Sequence, residues 1–258
     1  MTKPSQRKLL LEATLEAPAD EAWGALKDPS LIREWFGYYG ADYSSWGMEE
    51  LQTLDDEIKA IFEKGAVYDE ERLRISWEGG DEFVLTPQGD GSQLEVFMVR
   101  PAPQSEMDWK KVYDPICEGW ISFVQQLRFF LNRHRNDERS TIFLTGLSAP
   151  DVYANLELHD LAAVDEGSSY QLRTGIGDFL SGEVWYKTHY QIGLTVDGFR
   201  DGLLIVAATP PTEDLPDGGA ELIITTFLDD NSFEELQQRW GLAFSAPAPQ
   251  SSTATPGA

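Results

Sequence analysis

The sequence predicts an α+β protein with two consecutive domains, each built from an antiparallel sheet and helices. Several segments alternate apolar and polar residues, which is typical of strands with one buried face. The pair Asp90–Gly91 stands between two such segments and is a strong hairpin signal. A long amphipathic helix is predicted near the middle of the chain, and the polar stretch 136–140 follows it. We therefore predict a first domain over 1–139 and a second, smaller domain over 140–245.

The first domain is predicted to begin with a strand and two short helices. The strand "KLLLEATLEA" has an apolar face that consists of Leu9, Leu11, Ala13 and Leu15. Pro18 suits the first turn of a helix, because the N–H group that it lacks has no partner there. The dipeptide Asp28–Pro29 starts a second helix, which ends at Trp35–Phe36 with Gly37 as a stop signal.

A third helix and three strands are predicted to complete the first sheet. In "TLDDEIKAIFEKG", Thr53 is a plausible cap and Gly65 ends the helix. The strands are "RLRISW", "EFVLTP" and "QLEVFMV", of which the last two flank the hairpin.

The segment "DPICEGWISFVQQLRFFLNRHR" has the strongest helical period in the chain. Asp114 can cap this helix, and Pro115 occupies its first position. One broad apolar stripe consists of Ile116, Trp120, Phe123, Val124, Leu127, Phe130 and Leu131. At ~1.5 Å per residue the helix is about 30 Å long, which is enough to cross a whole sheet.

The second domain is predicted to contain further antiparallel strands and a closing helix of about ten residues, "SFEELQQRWGLAF". Two short similarities link it to the first domain: "LEAPADEAWGAL" with "LSAPDVYANL", and "SFVQQLRFF" with "SFEELQQRW". They leave open whether the second domain is a shortened repeat of the first or an unrelated sheet packed against it. The small, Pro-rich tail 246–258 is predicted to be disordered.

Composition limits the classes of partner and the location that we expect. The net charge of −24 would repel a phosphate backbone, so we expect no nucleic acid. No stretch reaches the ~18 apolar residues of a membrane span. Cys117 is the single cysteine, so no disulfide can form within the chain, and a cytoplasmic location is expected.

The order of strand, two short helices, antiparallel strands and one long helix is that of the helix-grip fold. The residues of "APADEAWGALKDPSLIREWFG" and "DPICEGWISFVQQLRFFLNRH" resemble the START-like (SRPBCC) superfamily, in the branch related to the activator of heat-shock protein 90 ATPase. The resemblance covers about residues 7–135 and implies a hydrophobic cavity between the sheet and the long helix. Eukaryotic activators use a separate N-terminal domain on the chaperone; we expect no counterpart of it here, which puts a co-chaperone role in doubt.

This resemblance implies a small hydrophobic ligand, and it places one set of residues inside the grip. The predicted ligand-binding residues are Trp35, Phe36, Trp77, Trp120, Phe123, Val124 and Leu127. The same side chains could instead form an ordinary filled core. In that case the protein would be an interaction module that contacts a protein partner through the acidic segment 140–258, which has 17 acidic and 4 basic side chains.

A third reading, a cyclase-like enzyme, would require a carboxylate inside the grip. Glu118 and Glu95 are the nearest candidates, and we expect both to face water. The three histidines are far apart in the sequence, so no metal site is predicted. No G-x-S-x-G elbow and no dinucleotide fingerprint occur, so the sequence predicts neither catalytic residues nor a cofactor.

Overall fold

The computed structural model describes residues 5–38, 53–101, 113–213 and 216–245. The predicted tail 246–258 lies outside them. The first sheet contains β1 (Ser5–Leu15), β2 (Ala66–Asp69), β3 (Arg74–Trp77), β4 (Glu82–Gln88) and β5 (Gly91–Pro101). Its strand order is β1-β5-β4-β3-β2, and every neighbouring pair is antiparallel. The first strand of the domain therefore pairs with the last.

Short helices connect β1 to β2. They are α1 (Ala19–Lys27), α2 (Pro29–Ile32) and α3 (Leu54–Ile58), and α3 continues into a π-helical turn over Lys59–Lys64. Thr53 and Asp56 form a reciprocal capping box at the start of α3, which satisfies backbone N–H groups that the helix itself cannot pair. The cap predicted at Thr53 is present.

The long helix α4 (Pro115–Arg133) lies between the two sheets. Asp114 caps it, and the Asp114 side chain accepts hydrogen bonds from the backbone N–H groups of Ile116 and Cys117. Its apolar stripe packs against the first sheet, and the same core cluster also includes Leu203, Ile205 and Ile223 of the second half. Both sides of α4 are therefore covered by strands.

The second sheet has six strands in the order β6-β11-β10-β9-β8-β7, again antiparallel throughout. The strands are β6 (Ser140–Ser148), β7 (Ser169–Arg173), β8 (Phe179–Lys187), β9 (Gln191–Val196), β10 (Gly202–Thr209) and β11 (Gly219–Thr226). The first strand again pairs with the last, and a helix follows the last strand. Apart from one additional strand in the second sheet, both halves therefore share the same order of strand pairing.

Helices cover the face of the second sheet that points away from α4. They are α5 (Ala149–Asn155), 3-10 turns over Leu158–Ala163 and Asp197–Phe199, and α6 (Asp230–Ser245). Alternate residues of β10 and β11 separate into two cores: Leu204 and Ile224 belong to the core under α5 and α6, whereas Leu203 and Ile223 face α4. Helix α6 has 16 residues, so it is longer than the sequence analysis predicts.

The polar stretch 136–140, which links α4 to β6, is not simply an exposed linker. Arg139 is 3 % exposed, and its guanidinium group donates hydrogen bonds to main-chain carbonyl oxygens of Arg33, Phe36 and Gly37. The residue just before β6 is thereby anchored in the first half.

The α+β class and the two antiparallel sheets agree with the sequence prediction, while the division into domains at residue 139 stays a prediction.

Candidate functional site

The residues predicted to bind a ligand come together between the first sheet and α4. All seven belong to one apolar cluster, in which Trp77 and Phe123 are partly buried and the other five are buried. The ring centroids of Phe36 and Phe123 are 4.4 Å apart, and those of Trp77 and Trp120 are 5.1 Å apart. The set is therefore contiguous, and we call it the ring cluster.

Two further rings, which the sequence prediction omitted, belong to the ring cluster. Phe62 lies 4.9 Å from Phe36, and Phe83 lies 4.9 Å from Trp120, both centroid to centroid. Phe62 was visible on the apolar face of the helix predicted over "TLDDEIKAIFEKG", and Phe83 was visible in the strand "EFVLTP". Their edge-to-face packing is the geometry that aromatic pairs favour.

Each tryptophan of the ring cluster has a hydrogen-bond acceptor inside the protein. The indole nitrogen of Trp35 donates to the Ala25 carbonyl oxygen at 2.9 Å, and that of Trp77 donates to the Ile61 carbonyl oxygen at 3.0 Å. Trp120 donates to the Asp81 carboxylate at 3.4 Å. The indole nitrogens of these three tryptophans are therefore satisfied within the protein.

Tyr38 connects the ring cluster to the second half of the chain. Its ring centroid is 5.6 Å from that of Phe123, and it stacks at 4.2 Å on Phe143 of β6. Tyr38 also lines a cavity of about 100 Å³ between the N-terminal half of α4 and the second sheet. The polar residues around this cavity are Tyr38, Tyr113, Glu118, Ser122, Gln191, Thr209 and Glu221. We call it the interdomain cavity.

Gln191, at the start of β9, organises one wall of the interdomain cavity. Its side-chain oxygen accepts hydrogen bonds from the Ser122 hydroxyl at 3.0 Å and from the Tyr186 hydroxyl at 2.6 Å. Its side-chain nitrogen donates to the Glu118 carbonyl oxygen at 2.8 Å and to the Glu118 carboxylate at 2.7 Å. These partners use both ends of the buried amide, so its orientation is determined.

Two carboxyl groups line the cavity, and burial raises the pKa of both. For Glu118 the hydrogen bond from Gln191 opposes that rise, whereas for Glu221 burial acts alone. Burial also raises the pKa of Tyr113, whose hydroxyl group lies 3.2 Å from that of Thr209. Carboxyl groups of raised pKa in a cavity can transfer protons, so the cyclase-like reading gains an observation that the sequence lacked.

The expectation was that Glu118 faces water; in the structure Glu118 is half-buried, and its carboxylate accepts a hydrogen bond from Gln191 of the second sheet. Glu95 is partly buried on β5 and does not line this cavity. Gln191 and Glu221 were not predicted as site residues. The signal for Glu221 was a single acidic residue within the apolar run "AELIITT", which a strand buried on both faces does not tolerate without a reason.

A second, larger groove of about 520 Å³ lies at the other end of the second sheet. Polar residues of β7, β8 and β9 line it together with Arg133, which forms ion pairs with Glu183 at 2.6 Å and with Asp201 at 2.9 Å. No predicted site residue lines this groove.

Across the described residues, no group of three or more His, Cys, Asp or Glu is placed to hold a metal ion. Within the same residues, no helix is long and apolar enough to span a bilayer.

No protein-family model and no curated protein matches the chain. Several solved structures are similar to it, and three of them each cover 92 % of this chain. DynU16, from the dynemicin biosynthetic locus, is 16 % identical, with 94 % of its chain covered and a TM-score of 0.30. The di-domain ARO/CYC BexL, from the BE-7585A biosynthetic pathway, is 13 % identical, with 92 % covered and a TM-score of 0.31. The di-domain ARO/CYC StfQ, from the steffimycin biosynthetic pathway, is 12 % identical, with 92 % covered and a TM-score of 0.32.

Proposed function

We propose that this protein binds a small hydrophobic molecule that contains an aromatic ring, at the margin of the ring cluster beside α4. One observation carries the proposal: Phe123 is partly buried in the ring cluster, and Tyr38 continues the aromatic surface from Phe123 to the interdomain cavity. The apolar part of the ligand would contact Phe123 and Tyr38. Its polar end would enter the cavity. Membership of the heat-shock activator branch stays a prediction from the resemblance of residues 7–135.

The driving force would be the burial of apolar surface. A ligand that buries about 150 Å² of apolar surface gains ~4 kcal/mol at about 25 cal/mol per Å². Contact with aromatic rings adds about 0.5–1.5 kcal/mol for each pair. The loss of translational and rotational freedom offsets a large part of this gain, so we expect weak binding of a minimal probe.

The test is a titration of the full chain with 2-phenylethanol while tryptophan emission is followed. Trp120 reports on the site, because its ring centroid is 6.3 Å from that of Phe123. We expect a saturable change in emission for the wild type, and a loss of affinity of at least fivefold for Phe123→Leu.

Phe129→Leu is the matched control. It makes the same change in α4, but Phe129 packs against Trp185 and Phe227 and not against Phe123. The affinity of Phe129→Leu should stay within twofold of the wild type. The proposal is wrong if the wild type shows no saturable change, or if both variants lose affinity equally.

A further inference from the structure

His134 joins the end of α4 to the second sheet. It directly follows the last residue of α4, it is 7 % exposed, and its backbone N–H group donates to the Phe130 carbonyl oxygen. Its imidazole ring stacks on the ring of Phe227, which directly follows β11, with 3.7 Å between the centroids and 15° between the planes. Packing therefore determines the plane of the ring, and each of its nitrogen atoms has an oxygen atom within hydrogen-bond distance.

Both ring nitrogens of His134 face oxygen atoms that can only accept hydrogen bonds. Nδ1 lies 2.9 Å from the Asp137 carboxylate, and Nε2 lies 2.8 Å from the main-chain carbonyl oxygen of Asp201. A carbonyl oxygen has no proton to donate, and an ionised carboxylate has none either. The two hydrogen bonds together therefore require a proton on each nitrogen, which is the charged form of histidine.

The neutral ring satisfies one of these two oxygen atoms but not both, because it carries a single proton. Its unprotonated nitrogen then points a lone pair at an acceptor, and that contact is repulsive. Loss of the proton also removes the positive charge that attracts the carboxylates of Asp137 and Asp201, of which the second lies 3.5 Å from Nε2. The junction is complete only when the ring is doubly protonated.

The turn that Nε2 contacts has a backbone conformation that side chains disfavour. Arg200 and Asp201 have φ angles of 59° and 53°, which lie in the left-handed region. Two contacts from the end of α4 stabilise this turn. One is the His134 ring at the Asp201 carbonyl oxygen, and the other is the Arg133 guanidinium group, 2.9 Å from the Asp201 carboxylate. The protonation of His134 therefore affects the second sheet as well as its own helix.

We propose that His134 is a pH-sensitive latch between α4 and the second sheet. When both nitrogens are protonated the latch is closed, and the ring connects Asp137, in the polar stretch 136–140, with Asp201, in the turn before β10. When the ring loses one proton, one of the two connections is broken and the junction is weaker. This inference is independent of the proposed function, because none of these residues lines the interdomain cavity.

The latch should stabilise the folded protein more at lower pH. The charged groups that contact the ring or its partners are Asp137 after α4, Arg133 on α4, Asp201 and Arg200 in the turn, and Glu183 on β8. Carboxylates and guanidinium groups ordinarily keep their charge between about pH 5.5 and about pH 8.5, whereas histidine changes its charge there. The doubly protonated ring forms one more hydrogen bond in the folded protein than the neutral ring does, so proton binding favours the folded state. The stability that comes from the closed latch is complete at the lower pH and is lost as the pH rises.

The experiment is urea denaturation of the full chain at about pH 5.5 and about pH 8.5. Asp137→Asn is the decisive variant, because an amide accepts a hydrogen bond from a protonated nitrogen and donates one to an unprotonated nitrogen. Glu138→Gln is the matched control, since it removes an exposed carboxylate from the next position. From the lower to the higher pH, the equilibrium constant for unfolding should rise about fivefold more in the wild type and in the control than in Asp137→Asn. The inference is wrong if Asp137→Asn shows the same rise as the wild type, or if the control shows as little as Asp137→Asn.

Nuclear magnetic resonance of the wild type tests the latch without any variant. With nitrogen-15 in the ring, the His134 signals should show two protonated nitrogens at about pH 5.5 and one at about pH 8.5. With carbon-13, the signals of the Asp137 carboxylate and of the Asp201 main-chain carbonyl should shift with the same midpoint as the ring. A ring that keeps both protons at about pH 8.5, or that has lost one at about pH 5.5, would overturn the inference. So would an Asp201 carbonyl signal that does not follow the ring.

Discussion

The guanidinium group of Arg139 donates a 3.1 Å hydrogen bond to the side-chain oxygen of Gln126, and both side chains are buried. The same oxygen of Gln126 accepts a 3.1 Å hydrogen bond from the Thr225 hydroxyl of β11. One amide of α4 is therefore hydrogen-bonded both to the residue that precedes β6 and to the strand that pairs with β6. This arrangement couples the start of the second sheet to the long helix of the first half.

Substitution of Arg139 by Met should destabilise the whole chain. The change leaves the buried carbonyl oxygens of Arg33, Phe36 and Gly37 without this donor. Each buried acceptor that loses its partner costs about 1–3 kcal/mol, so we expect a loss of about 3 kcal/mol or more in urea denaturation. Arg72→Met is the control, because the Arg72 side chain is 77 % exposed and should contribute less than about 1 kcal/mol. Equal losses for the two variants would contradict the role assigned to Arg139.

Substitution of Trp240 should show that α6 stabilises the apolar core between the second sheet and its outer helices. Trp240 is 0 % exposed, and its indole nitrogen donates a 2.8 Å hydrogen bond to the Asp178 carboxylate. Trp240→Ala creates a cavity and should cost about 3–5 kcal/mol. Trp240→Phe keeps a ring there and should cost less. Urea denaturation measures these changes in the free energy of unfolding. Leu242→Ala is the control, because Leu242 is exposed, and its stability should lie within about 0.5 kcal/mol of the wild type. If Trp240→Ala were as stable as the wild type, the packing described for α6 would be refuted.

The Glu221→Gln variant should be more stable than the wild type near neutral pH. Burial raises the folded-state pKa of Glu221 above the ordinary value of 4.5, so the folded state binds the proton more tightly than the unfolded state does. The stability that comes from the protonated carboxyl is complete below that ordinary value and is lost as the pH rises through the folded-state pKa. Glutamine resembles the protonated form and avoids this loss.

Urea denaturation of the wild type and of Glu221→Gln, each at about pH 4 and about pH 7.5, tests the predicted pH dependence of the stability difference. The variant should gain stability over the wild type at the higher pH, and the gain should shrink towards zero at the lower pH. Glu235→Gln removes an exposed carboxylate and should show no such difference between the two pH values. A loss of stability for Glu221→Gln at pH 7.5 would mean that the carboxylate has a favourable partner.

Local patterns of the sequence account for most of the secondary structure. The Asp114 cap, Pro115 and the apolar stripe predicted α4, and the capping residue Thr53 predicted the start of α3. These signals act within one or two helical turns, so no knowledge of the tertiary structure is required. The convergence of Trp35, Trp77 and Trp120 followed from the resemblance to a known fold, since these residues are far apart in the chain.

By itself, the sequence determined the type and order of most helices and strands, and which face of α4 is the more apolar. It did not determine what covers the other face. Ser122 and Gln126 lie on that face and are buried, because polar partners such as Gln191 and Thr225 reach them from the second sheet. Periodicity records only a difference in polarity between two faces of a helix, and a polar face can be either hydrated or hydrogen-bonded to another element. Only the tertiary structure, which stacks the second sheet on α4, decided that Glu118, Ser122 and Gln191 line a cavity.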